Sequence, residues 1–321
     1  GGYETNHTEV IWSTLETEHF LFHWPKSSLD PSDPHYFTTE FTVSRLSGIA
    51  EETYDKICGQ LNYYPIEKTH VVIYDQDIGW EGNGFALAEM DWTGFAADWG
   101  PLFRMRGRME FLSDVFVHEY AHIVSLKAYL PWSESSTYME MGGLIEDEEW
   151  LKRWGVQSQQ PINFDVGFYG MLSTHTPFWW AEGGAEYWSH QAGYNFWGHS
   201  REAFLRTTFL ENRQLDLNEW TTVANKKGFD GERGYNQGYD FGLYLFDTFD
   251  RDVMSEMAKT SGERWHWNWD DVVEEVTKTS MDVLYQGWVE TNTLRFETTK
   301  EMVEKQGRVE GKEMSLLQPE W

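Results

Sequence analysis

Residues 111–130 read FLSDVFVHEYAHIVSLKAYL. Their apolar residues recur at the spacing of an amphipathic helix, the clearest such pattern in the chain, and Pro131 ends it. At its centre stands His118-Glu119-Tyr120-Ala121-His122, an HExxH motif. On a helix, residues four apart lie on one face, so both imidazoles can turn toward one ion. Zinc takes such nitrogens at about 2.0–2.1 Å. Glu119, beside the first histidine, can reach a water on that ion and act as general base. Two histidines leave the site one ligand short, because catalytic zinc sites use three protein ligands and keep the fourth position for water. The plain alternative is a pair of half-exposed helix histidines. The motif's place in the middle of a strong helix favours the metal.

The third ligand has several candidates downstream: Glu140, Glu146, Glu148, Glu149, His175, Glu182, Glu186 and His190. The acidic run 146–149 reads as a solvated loop, with structural calcium as its alternative use. Glu182 stands out because it lies in the apolar, aromatic segment TPFWWAEGGAEYW, residues 176–188. Burying a carboxylate there is costly without a partner, and a cation is such a partner. Gly183 and Gly184 remove side chains beside it, so another helix can come close. Glu186 lies one turn on. It reads as a carboxylate that accepts a hydrogen bond from a ligand histidine and fixes its tautomer, or else as an exposed helix carboxylate.

HEYAH followed by WWAEGGAEYW resembles the gluzincin metallopeptidases, the HExxH-plus-Glu clan that includes thermolysin and the leucyl-type aminopeptidases. Many members carry Trp-x-x-Glu-Gly-x-Ala, which Trp179, Glu182, Gly183 and Ala185 reproduce, and a carboxylate four residues on, which Glu186 matches. The gap from His122 to Glu182, 182 − 122 = 60 residues, resembles that of the broader bacterial peptidase-MA-like families. The stretch from Tyr235 through Gln237, Gly238, Phe241, Tyr244 and Leu245 is similar to a helix those families carry after the zinc site. The resemblance implies zinc held by His118, His122 and Glu182, and a tyrosine of that later helix near the metal. Tyr235 is then the first choice to stabilise the oxyanion and Tyr239 the second, with His190 and His199 behind them. Ordinary helix packing is the alternative for both tyrosines. The Gly-x-Met-Glu-Asn motif of aminopeptidases is absent, which points away from amino-terminal exopeptidase specificity and toward an endopeptidase.

The rest of the chain bounds this reading. It has 321 residues, enough for one large catalytic unit, and a net charge of −28, which disfavours nucleic acid and anionic lipid as partners. No run of about 18 uncharged apolar residues is present, so no membrane span is expected. The single cysteine, Cys58, rules out an internal disulfide and reads as a small buried hydrophobe. Eighteen tryptophans suit a ring-rich core, or aromatic walls for peptide or sugar subsites. Asp75-Gln76-Asp77 with Gly79 lacks the later ligands of a calcium loop and reads as a turn. The chain opens GGYETNHTEV, without initiator Met or signal peptide, and reads as a piece of a larger multidomain protein, extracellular or periplasmic by the resemblance.

Strands are expected at 15–24 and 69–77, an edge strand or hairpin at 79–95, and a long helix at 37–61. Residues 132–177 read as irregular. Helical segments follow at 178–197, 199–212, 235–260, 270–278 and 281–306. The expected fold is α+β and thermolysin-like, in two lobes. An α+β lobe (1–130) carries the HExxH helix, an irregular insertion follows (131–177), and a mainly helical lobe (178–321) carries the third ligand. The edge strand near Asn83 to Ala88 can bind extended substrate by strand addition. Peptide or protein is the expected substrate. Two other functions remain open: a non-catalytic binding module on a peptidase-like fold, and a zinc hydrolase for glycosylated or cell-wall peptides.

Overall fold

The computed structural model describes residues 11–26, 38–74, 84–88, 91–96, 111–129, 140–145, 162–167, 176–221, 229–263, 266 and 268–307. Two strands, β1 (Trp12–Glu16) and β2 (Phe20–Pro25), open the fold as an antiparallel hairpin. Sequence spacing predicts one strand over 15–24, but the chain turns at Thr17–His19. The Glu51 carboxylate fixes that turn by accepting from the His19 amide at 3.1 Å and pairing with its ring Nδ1 at 2.6 Å. Helices α1 (Thr38–Ser47) and α2 (Ala50–Leu61) divide the predicted long helix at Gly48, a weak helix former.

Strand β3 (Thr69–Tyr74) lies parallel to β2 and to β5 (Trp92–Ala96), and β4 (Gly84–Leu87) pairs antiparallel with β5. The order β1-β2-β3-β5-β4 makes β4 an edge, as its alternating, glycine-rich sequence suggests.

Helix α3 (Phe111–Tyr129) carries the HExxH motif and packs across this sheet. Phe116 meets the rings of Phe20, Phe22 and Phe95 at 5.7, 6.1 and 5.8 Å. The helix is not amphipathic in its setting. From 111 to 128 every residue is buried except His118 and Leu126, which are partly exposed. Its few polar positions are therefore matched inside: buried Lys127 bonds Asp91 at 2.6 Å, tying the helix to the β4–β5 turn. Cys58 is buried as expected, 3.5 Å from the Tyr120 hydroxyl.

The segment expected to be irregular carries a two-stranded antiparallel ribbon, β6 (Glu140–Ile145) with β7 (Ile162–Gly167). The remainder is helical: α4 (Phe178–Gln191), α5 (His199–Leu210), α6 (Leu217–Trp220), α7 (Phe229–Phe249), α8 (Val253–Glu263), α9 (Trp269–Thr277) and α10 (Met281–Gln306). The fold is thus mixed α+β, mostly helical, with a small N-terminal sheet. One set of buried side chains runs from Phe20 on the sheet through α3 to Phe296 on α10. Tryptophans fill much of it: Trp179, Trp180, Trp188, Trp220 and Trp288 are fully buried. Among the described residues no helix is long and apolar enough to cross a membrane.

Helices α4 and α7 meet backbone to backbone. A Cβ on Gly183 would sit 2.4 Å from the Gly238 carbonyl carbon, and one on Gly238 would sit 2.7 Å from the Trp179 oxygen. Gly184, which also looked free to admit a helix, instead faces the Trp188 ring of its own helix. Gly183→Ala is therefore expected to destabilise the fold by about 1–3 kcal/mol. Gly59→Ala, on α2 with open space around it, should stabilise by about 0.5–1 kcal/mol. Urea unfolding of the two variants checks both signs.

Candidate metal centre

Helical spacing does for His118 and His122 what the motif requires. Their Nε2 atoms stand 3.1 Å apart, with the rings edge to face at 83°. Helix α4 crosses this face and delivers Glu182. Its Oε2 lies 3.2 Å from His118 Nε2 and 3.1 Å from His122 Nε2. Three ligand atoms thus form a nearly equilateral triangle. A tetrahedral ion with bonds near 2.05 Å needs ligand atoms about 3.3 Å apart, so the donor set fits zinc in both type and spacing. The two histidines are nearly buried and Glu182 is one-fifth exposed. Among the described residues one other His/acid group has metal-like spacing, Glu18, His19 and Glu51. Glu18 is exposed and His19 and Glu51 partly so, and there Glu51 already pairs with His19 Nδ1.

Glu119 is buried beside the two histidines. Burial pushes its carboxyl pKa up; the two histidines oppose the rise, while the Glu182 and Glu186 charges add to it. A raised carboxyl pKa suits a group that must accept a proton near neutral pH. Edge strand β4 lies directly against Glu119. A Cβ on Gly84 would come within 2.9 Å of Glu119 Oε1 and 2.5 Å of Val115 Cγ1, so only glycine lets the strand approach this far.

Behind the triangle, Glu186 is almost wholly buried and its Oε1 lies 4.0 Å from His118 Nδ1, an ion-pair distance rather than a hydrogen bond. Its Oε2 accepts from Arg201 Nη2 at 2.6 Å and from Asn195 Nδ2. Sequence reading found the carboxylate but not its donors. The signal available was the burial expected for Glu186, which demands a cation nearby.

The remaining candidates differ in setting. The Tyr235 ring is partly buried, 6.0 Å from the His118 ring and 5.5 Å from that of Phe178. Tyr239, one turn on, is fully buried and its hydroxyl is bonded to His190 Nδ1. Burial holds the His190 pKa down. His199 is exposed at the start of α5. Glu146, Glu148, Glu149, His175 and Asn83 lie outside the described residues, as does the side chain of Glu140.

Without an ion, the Glu182–His122 contact behaves as a buried ion pair. Burial pulls the His122 pKa down, but the charge of Glu182 and its hydrogen bond outweigh this and lift it to about 9. For Glu182, burial works upward, yet the two histidines hold it well below the usual carboxylate range. The metal-free fold thus gains from His122 fully below pH 6.5 and loses that gain as pH rises through about 9. Its gain from Glu182 is present above pH 4.5 and fades below. An incoming cation must displace the His122 proton. Zinc affinity should therefore rise by at least about tenfold per pH unit between pH 7 and 9, and less steeply above. Calorimetry in buffers of different ionisation enthalpy should find at least about one proton released per zinc at pH 7.5, one from His122 and more from the metal-bound water. Release of none would contradict the pairing.

No family model matches the chain, and no curated protein resembles it in sequence. Among solved structures it is similar to an aminopeptidase N family protein from Idiomarina loihiensis, at 15 % identity and a TM-score of 0.44. The match covers 85 % of this chain and 44 % of that one, so the chain spans less than half of that protein's length. A likeness this distant carries no argument about chemistry, which rests on the site's own geometry.

Proposed function

We propose that the chain is a zinc-dependent metallopeptidase of the gluzincin type, in which His118, His122 and Glu182 hold the metal. The observation that carries this reading is the triangle of three ligand atoms, 3.1–3.2 Å on a side, with Glu119 buried beside it. Zinc held there would polarise a peptide carbonyl and bring the pKa of a bound water near 7. Glu119, with its raised pKa, takes the proton of the attacking water and passes it to the leaving amine. The Tyr235 hydroxyl donates to the oxygen that becomes negative as the carbonyl is attacked. Its partly exposed ring beside His118 supports that role. Tyr239, buried and bonded to His190, supports the helix from behind instead.

Substrate runs along β4, an edge strand among the described residues, which lies against Glu119 through Gly84. Backbone pairing with an extended peptide at that edge reads little of its sequence and has no need of a free terminus, which favours an endopeptidase. In this reading the arrangement is thermolysin-like, with the sheet and α3 on one side of the cleft and α4 onward on the other. The tryptophans of α4 do not argue for a sugar-bearing substrate, because Trp179, Trp180 and Trp188 are buried in the core.

Glu119→Gln should retain one equivalent of zinc and lose about 10²–10⁴-fold in kcat. Tyr235→Phe should lower kcat about 10²–10³-fold with little change in KM. Digestion of an unbiased peptide library, read by mass spectrometry, checks both. Equal cleavage by wild type and Glu119→Gln would remove the general-base assignment. Zinc bound at one equivalent with no cleavage by wild type would leave the binding-module reading in its place.

A further inference from the structure

The metal ligands are backed by a charge that touches none of them. Arg201 stands in the first turn of α5, where the helix dipole disfavours a cation. Its surroundings account for it. The guanidinium is nearly buried and donates through Nη2 to Glu186 Oε2 at 2.6 Å. Through Nη1 it donates to Asn236 Oδ1 at 3.2 Å, and Asn236 in turn donates to the Glu232 carbonyl at 2.7 Å, one turn back in α7. The planar face lies over the Tyr239 ring, 5.1 Å from its centroid, and Tyr239 is itself held by His190. Arg201 is thus clamped by α4 and α7 together, in an orientation that only a flat, forked cation can adopt.

We propose that Arg201 is a positioning residue of the metal centre. With Asn195 it holds the Oε2 side of Glu186, so that Oε1 faces His118 Nδ1 on the side of the ring away from the metal. A negative charge at that place orients the imidazole and makes it a stronger ligand. Glu186 is 1 % exposed, and a carboxylate buried to that extent stays charged and fixed only if a cation accompanies it. Arg201 fills that place, so the metal affinity depends on a residue of α5 that no motif includes. Arg201 is not a docking point for a substrate carboxylate, because its fork and its face already meet Glu186, Asn236 and Tyr239.

The inference rests on the zinc reading above, and zinc affinity tests it without reference to catalysis. Metal-free wild type, Arg201→Met, Arg201→Lys, Glu186→Gln and the double variant Arg201→Met/Glu186→Gln are titrated with zinc against a chromophoric chelator, and circular dichroism reports their folding. Arg201→Met is expected to bind zinc about 10–100-fold more weakly than wild type. Arg201→Lys, which keeps the charge but loses the fork, should lie between the two and covers the case in which Arg201→Met does not fold. The double variant should be no weaker than Arg201→Met alone, because both changes cut one chain of contacts. Folded Arg201 variants that bind zinc within twofold of wild type would overturn the inference and leave the zinc site intact. Wild type that binds no zinc, or binding that survives His118→Ala, would overturn the zinc reading itself and this inference with it.

Discussion

A carboxylate placed within bonding distance of two imidazoles is the constraint that shapes this fold. Glu182 is about four-fifths buried on a helix whose Trp179, Trp180 and Trp188 lie in the core, and an unpartnered charge there would be costly. Its Oε2 is 3.1–3.2 Å from both histidine nitrogens of α3, so the charge has a partner only where the two helices face each other at that point. The position of α4 against α3 is therefore fixed by chemistry as well as by packing. The same crossing puts Glu119 beside the triangle.

Close approach of backbones does the rest. Gly183 on α4 and Gly238 on α7 touch without side chains between them, which brings α7, and with it Tyr235, up to the metal face. On the opposite side Gly84 lets the edge strand lie against Glu119. The large rings serve as filler around these contacts, with Trp220 stacked on Trp288 at 5.3 Å and Trp179 edge-on to Phe241 at 5.3 Å. Asp240 joins the last helix to this body by accepting from Trp288 and Asn292 at 2.7 Å each. The glycines set the distances between helices, and the aromatics hold them there.

The parts legible in the sequence were those whose chemistry is local. HExxH spacing places His118 and His122 together because helical periodicity alone does so, and the apolar setting of Glu182 marks it as a charge in need of a cation. Most of the later helices fall close to where their periodicity puts them, as with α10 over Met281–Gln306, but the single helix expected over 235–260 is two, α7 (Phe229–Phe249) and α8 (Val253–Glu263). What failed was what tertiary context decides. Helix α3 reads as amphipathic but is buried on nearly every side, since the sheet and the later helices enclose it together. The turn at Thr17–His19 depends on Glu51, more than thirty residues away, and no local pattern announces it. Arg201 and Asn195 escaped notice for the same reason: they bond Glu186, and that partnership exists only once the chain has turned back after α4 and α5 has packed on α7.

The central claim is that His118, His122 and Glu182 bind one zinc ion together. Anomalous diffraction from zinc-loaded crystals, recorded on both sides of the zinc absorption edge, measures this directly. The expected result is one strong peak about 2 Å from each of His118 Nε2, His122 Nε2 and the Glu182 carboxylate. A peak at Glu18, His19 and Glu51 alone, or an ion on the two histidines with Glu182 turned away, would contradict the account.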